Sequence, residues 1–141
     1  MRSQKTAIFL SLTLIALSFN SSANDLIFKC TTKNNKEIKL YKNGNTIQYS
    51  FGKIGAKPEL ELNKRKEELY VNLENLSGRY ATNSIEIKNG IYSYRLTTSV
   101  DRIANEQDPI TSLTVIKNGE DLTSIQCLKG SEIGAIISIN D

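Results

Sequence analysis

The chain has 141 residues, with 18 Lys and Arg against 15 Asp and Glu, two cysteines and no histidine. Without histidine there is no Ser–His or Cys–His pair of nucleophile and base, and no imidazole to ligate a metal. A formal charge of +3 is too small to displace counterions from a phosphate backbone, which argues against a nucleic acid partner.

Residues 1–23 read as a cleavable secretion signal. Arg2 and Lys5 form a short positive start, an apolar run follows from Ala7 to Phe19, and Ser21-Ser22-Ala23 supplies the small residues a signal peptidase requires. The run is interrupted by Ser11, Thr13 and Ser18 and falls short of the roughly 20 apolar residues of a spanning helix. No cysteine near the cleavage point is placed to carry a lipid. The expected product is a single domain, residues 24–141, in the periplasm or secreted, with no membrane attachment after cleavage. Losing Arg2 and Lys5 leaves 16 basic against 15 acidic side chains, a net charge of +1. Much of the precursor's apparent basicity thus lies in its signal.

The remainder alternates apolar and polar residues in short runs, the period of half-buried strands. The first run, Leu26 to Thr31, carries Cys30. Lys-Asn-Gly then recurs at 42–44, 88–90 and 117–119, each time between such runs, and Asn-Gly favours a two-residue hairpin turn. A turn at Asn43-Gly44 predicts Leu40 opposite Ile47 and Ile38 opposite Tyr49. One at Asn89-Gly90 predicts Ile87 opposite Tyr92 and Ile85 opposite Tyr94, with Glu86 beside Ser93 outside. At the third site two registers compete. A two-residue turn pairs Val115 with Leu122, and a three-residue turn pairs Ile116 with Leu122 and Leu113 with Ile125.

Further strands are expected at Glu59 to Leu62 and Glu68 to Leu73, around a charged turn at Asn63 to Lys66, and at Ile133 to Ile139. In the last of these, Ile133, Ala135, Ile137 and Ile139 would share one face. About eight to ten short strands with no long helical period predict an all-β fold, a small antiparallel barrel or sandwich. Cys30 and Cys127 bracket nearly all of it. In an exported chain such a pair reads as a disulfide, and closing a loop of that length is worth roughly 4 to 5 kcal/mol in the chain-entropy model. The longest irregular stretch, Ser99 to Ile110, holds Asp101, Arg102, Glu106, Asp108 and Pro109. Loops of that kind often carry function.

No phosphate-cradling glycine loop, calcium loop or metal-ligand spacing is present, so neither a metal nor a cofactor is expected. A binding protein is expected rather than an enzyme.

The N-terminal strand cysteine behind a signal, the alternating strands, the Ser-Gly-Arg-Tyr element at 77–80 and the later Lys-Asn-Gly at 88–90 resemble the bacterial inhibitors of C-type lysozyme, in their membrane-bound and periplasmic forms. That family's signature is Ser-Gly-x-x-Tyr followed by a strand and Lys-Gly. Here Tyr80 follows Gly78 by two positions, and Asn89 separates Lys88 from Gly90. The resemblance implies a small envelope β-barrel that inserts a loop into a lysozyme cleft. Ser77 would give a hydroxyl and Lys88 a cation to the cleft carboxyls, with Gly78 in the turn and Arg79 and Tyr80 as flanking contacts. The partner is then a protein: a lysozyme or, if the chain is an immunity protein, a toxin delivered to the periplasm. A small-ligand carrier with a pocket inside the barrel is the further alternative.

Overall fold

The computed structural model describes residues 23–141, so the expected signal lies outside the described residues apart from Ala23. The hairpins form where the Lys-Asn-Gly punctuation predicts them, but the first two turns sit one residue later. Between β2 (Lys36–Asn43) and β3 (Thr46–Lys53) the turn is Gly44-Asn45. Gly44 takes φ 57°, the positive angle that a type II′ turn places at its first central residue. Leu40 therefore faces Tyr49, and Ile38 faces Phe51. In the same way Gly90, at φ 64°, opens the turn between β6 (Tyr80–Asn89) and β7 (Tyr92–Asp101). Ile87 then faces Tyr94, Ile85 faces Leu96 and Glu86 faces Arg95. Moving the turn by one residue moves each cross-strand partner by two, which keeps every side chain on its expected face. Apolar still meets apolar.

The third hairpin, β8 (Ile110–Lys117) and β9 (Glu120–Gln126), combines both expected registers. Asn118 and Gly119 both have positive φ, 51° and 84°, as a type I′ turn requires, and they pair Lys117 with Glu120 and Ile116 with Asp121. A bulge between Val115 and Ile116 then absorbs one extra residue, so that Leu113 meets Ile125. Leu122 pairs with neither Val115 nor Ile116 and is exposed.

With β1 (Asp25–Thr31), β4 (Leu60–Arg65), β5 (Tyr70–Ser77) and β10 (Ile133–Gly134), the strands form two five-stranded antiparallel sheets, ordered β10-β1-β2-β3-β4 and β5-β6-β7-β8-β9. The sheets do not close on each other, so the fold is a sandwich and not a barrel. The charged segment expected to turn at Asn63 to Lys66 stays extended through Arg65. The chain crosses between the sheets in a 3-10 turn, Lys66–Glu68, where the Glu68 carboxylate accepts from the Arg65 backbone N–H at 2.9 Å.

The expected last strand is corrected most. Only Ile133 and Gly134 pair with β1, and Ile136–Asn140 winds into a 3-10 helix. At Gly134, φ is 76° and a side-chain carbon would stand 2.1 Å from the Ile27 carbonyl oxygen, so the strand bends away here. A three-residue period then replaces the two-residue one. It buries Ile136 and Ile139 and leaves Ile133 and Ile137 facing solvent.

Ile38, Leu40, Ile47 and Tyr49 from the first sheet pack against Ile85, Ile87, Leu96 and Leu113 from the second. The Tyr49 and Tyr94 rings stack between the sheets with centroids 5.8 Å apart. At one corner the chain leaves β9 and changes sheets. Cys127 N–H donates to the Thr111 carbonyl at 2.9 Å, Leu128 N–H donates to the Thr31 carbonyl at 2.7 Å, and Cys127 is disulfide-bonded to Cys30.

Two outcomes test this core. Replacing both cysteines by serine should lower unfolding free energy by up to about 4 to 5 kcal/mol in denaturant titration, because the crosslink closes most of the unfolded chain. The Tyr49 hydroxyl is buried and has no hydrogen-bond partner among the described residues. Tyr49→Phe should therefore raise the melting temperature, whereas Tyr49→Ala should cost about 3 to 5 kcal/mol.

Candidate functional site

Ser-Gly-Arg-Tyr is a hairpin tip. Ser77 ends β5 and Tyr80 begins β6 directly opposite it, while Gly78, at φ 55°, and Arg79 make the turn. The tip is fastened to the residues that follow β7. Arg79 Nε and Nη2 both donate to Asp101 Oδ2, at 2.6 and 2.5 Å. Arg102 N–H donates to the Arg79 carbonyl at 2.9 Å, and Arg102 Nη1 to the Gly78 carbonyl at 3.3 Å. The Arg79 guanidinium holds the Asp101 carboxyl below the usual carboxylate range, with help from the Ile103 N–H, and Asp101 in turn raises Arg79.

Residues 102–109 loop out from this clamp, with the Gln107 side-chain amide returning to the Arg102 carbonyl at 2.9 Å. Between the loop and the end of β8 and β9 lies an open cleft of about 370 Å³. Tyr80, Pro109 and Ile110 supply apolar walls, and Glu106, Asp108, Lys129 and Glu132 supply charge. Lys129 Nζ lies 3.0 Å from Asp108 and 3.9 Å from Glu106. Around the cleft and the tip, Leu76 is 63 % exposed, Ile103 71 % and Ile110 57 %. Large apolar side chains thus face solvent beside two arginines and a tyrosine, the composition of protein-binding hot spots.

Lys88 stands apart from these residues. It lies near the far end of β6, eight positions from Tyr80, or roughly 27 Å along an extended strand. There it is exposed beside Glu86, Ser93 and Arg95. Ser77, Gly78, Arg79 and Tyr80 are therefore brought together, and Lys88 is not brought to them. The irregular stretch expected from Ser99 to Ile110 is shorter in the structure, because Ser99 to Asp101 end β7 and Ile110 begins β8, and the attachment of the remaining 102–109 loop to the tip was not foreseen. Asp101 and Arg102 reach Arg79 and Gly78 only because β6 pairs with β7 along its whole length.

Among the described residues no three His, Cys, Asp or Glu side chains are arranged to hold a metal ion. No family model, curated protein or solved structure matches this chain.

The clamp has a defined pH range. Asp101 has a folded pKa lowered from 3.8, so its contribution is present above that value and disappears as the pH falls through the lower folded pKa. Amide exchange at Arg102, whose N–H donates to the Arg79 carbonyl, and at Ile103, whose N–H donates to the Asp101 carboxylate, should stay slow through mildly acidic pH and quicken only in stronger acid. In Asp101→Asn it should be fast at neutral pH as well. Global stability should barely change, because the ion pair lies at the surface and is screened by solvent.

Proposed function

We propose that the mature domain is a periplasmic or secreted binding protein that inhibits a cell-wall-degrading enzyme, a lysozyme or an enzyme of similar cleft, by inserting the 77–80 tip. The observation that carries this reading is the Arg79–Asp101 and Arg102–Gly78 clamp. It joins the tip and the 102–109 loop into one projecting unit with exposed Leu76, Tyr80, Ile103 and Ile110.

Glycan-cleaving enzymes commonly work with two carboxyl groups in a deep cleft. A plug for such a cleft needs hydrogen-bond donors on a narrow, stiff support. The Ser77 hydroxyl supplies one, and Arg79 retains guanidinium hydrogens beyond those given to Asp101. Pre-organisation matters because a floppy tip would lose ordering entropy on insertion, and the clamp has already removed most of that freedom. Around the tip, Tyr80, Ile103 and Ile110 would seal the rim against water. The acids Glu106, Asp108 and Glu132 would meet the basic groups that an enzyme of an anionic wall polymer carries. Lys88 lies too far along β6 to share the contact, so the cation comes from Arg79.

Inhibition of purified C-type, g-type and invertebrate-type lysozymes tests the proposal. At least one should be inhibited. Tyr80→Ala and Arg79→Ala should each weaken that inhibition by about thirtyfold or more, the scale of a hot-spot residue, and Lys88→Ala should leave it unchanged. Full activity of all three enzymes at saturating protein would contradict the proposal.

A further inference from the structure

The outward faces of the two sheets differ in charge. On the first sheet, Glu37 sits between Lys29 and Lys39 with both in ion-pair contact, and Glu61 stands on the same side. Burial opposes the charged form of Glu37, but Lys39 and Lys29 outweigh it and hold the carboxyl below its ordinary range. This is the usual ionic surface of a soluble sheet.

Two rows at the centre of the second sheet's outer face carry no paired charge; they lie between the Glu86–Arg95 pair in the Tyr70 row and the Arg79–Asp101 pair at the Tyr80 end, with Glu74 exposed at the irregularity in β5. The register places Asn72, Ser84, Thr97, Ser112 and Gln126 in one row across all five strands. Asn75, Thr82 and Ser99 form the next row toward the loop end. The hydroxyls of Ser84, Thr97, Ser112 and Thr114 make no hydrogen bond among the described residues. Two tyrosines on the same face bound this field. Tyr70, opposite Glu86, is 69 % exposed, and Tyr80 is 47 % exposed six positions along β6, roughly 20 Å away.

From this face we infer a second binding site, for an extended, uncharged oligosaccharide lying along β5 and β6. A sugar ring presents apolar C–H faces and a rim of hydroxyls. Tyrosine rings lying open to solvent suit the first, and unpaired hydroxyls and carboxamides suit the second. With its flanking charges already paired within the sheet and its two central rows uncharged, the face favours a neutral polyhydroxylated chain over a nucleic acid or a charged peptide segment, which would want opposite charge across the contact. An open sheet face fits a strand of sugars rather than a compact ligand, and its Tyr80 end lines the 102–109 cleft. The site goes beyond the inhibitory reading and does not rest on it, since Tyr70, Ser84 and Thr97 take no part in the tip.

Titrating chitohexaose and cellohexaose into the disulfide-bonded protein, followed by amide chemical shifts, tests the site, and the two arms separate an acetamido sugar from a plain glucan. At least one should shift the amides of β5 to β8 and leave those of β2 to β4 still. Tyr70→Ala should weaken binding tenfold or more, and Thr97→Lys should abolish it by placing a charge in the neutral row. Glu61→Lys on the opposite sheet should bind as the parent does. Two-dimensional spectra establish that each variant is folded. Shifts confined to the first sheet, unchanged affinity in folded Thr97→Lys, or no response to either saccharide would overturn the inference. So would a concentration-dependent dimer that buries this face against a second copy.

Discussion

The corner where the chain leaves β9 and passes the end of β1 governs how the two sheets of this domain are held. Each sheet is a meander whose strands pair with sequence neighbours, apart from β10, which returns to β1. Hydrogen bonding alone would therefore leave two nearly independent layers. Beside the buried side chains, they are joined where Cys127 bonds to Cys30 and Leu128 donates to Thr31, and where the chain crosses over at Lys66–Glu68. Constraining a loop of 97 residues costs the unfolded chain far more freedom than the folded one. The crosslink lies beside Thr111, just after the 102–109 loop. It thus anchors the end of the second sheet that carries the tip, the loop and the cleft.

The sheets divide their work along the same line. The first presents an ionic outer face around Glu37 and serves as the inner wall of the core. The second carries the features that suggest contact with other molecules: exposed Tyr70 and Tyr80, the clamped hairpin tip, the apolar side chains of the loop and an uncharged centre. A binding end gains from this layout because the tip gets its rigidity from β6 and β7, the most extensively paired strands of the sheet, and not from its own short turn.

Much of the fold was legible in local signals. Alternation marked the strands, Lys-Asn-Gly marked the hairpins, and the cysteine pair was readable from the expected secretion signal and the lack of any competing ligand spacing. Errors arose where local preference met a wider constraint. Glycine rather than asparagine took the first positive-φ position at 44 and 90, moving both turns by one residue. At 115–116 a bulge reconciled a tight turn with core register, which no single turn rule anticipates. Ile133 to Ile139 alternates as a strand does, yet Gly134 packs so closely against Ile27 that the chain bends and a three-residue period takes over. The site was less readable. Ser77 to Tyr80 stood out as a motif, but Asp101 becomes its partner only through ten residues of pairing, and Lys88 lies near the tip in sequence and remote from it in space. The uncharged rows were invisible beforehand, because their residues are dispersed singly through five strands.

Hydrogen exchange of the protein mixed with a lysozyme that it is proposed to inhibit most directly tests whether the loop end of the second sheet is the contact surface. Protection should appear at residues 76–80 and 102–110, with β2, β3 and β4 exchanging as in the free protein. Protection centred on β2 to β4, or on the 88–91 turn with the tip unprotected, would contradict it.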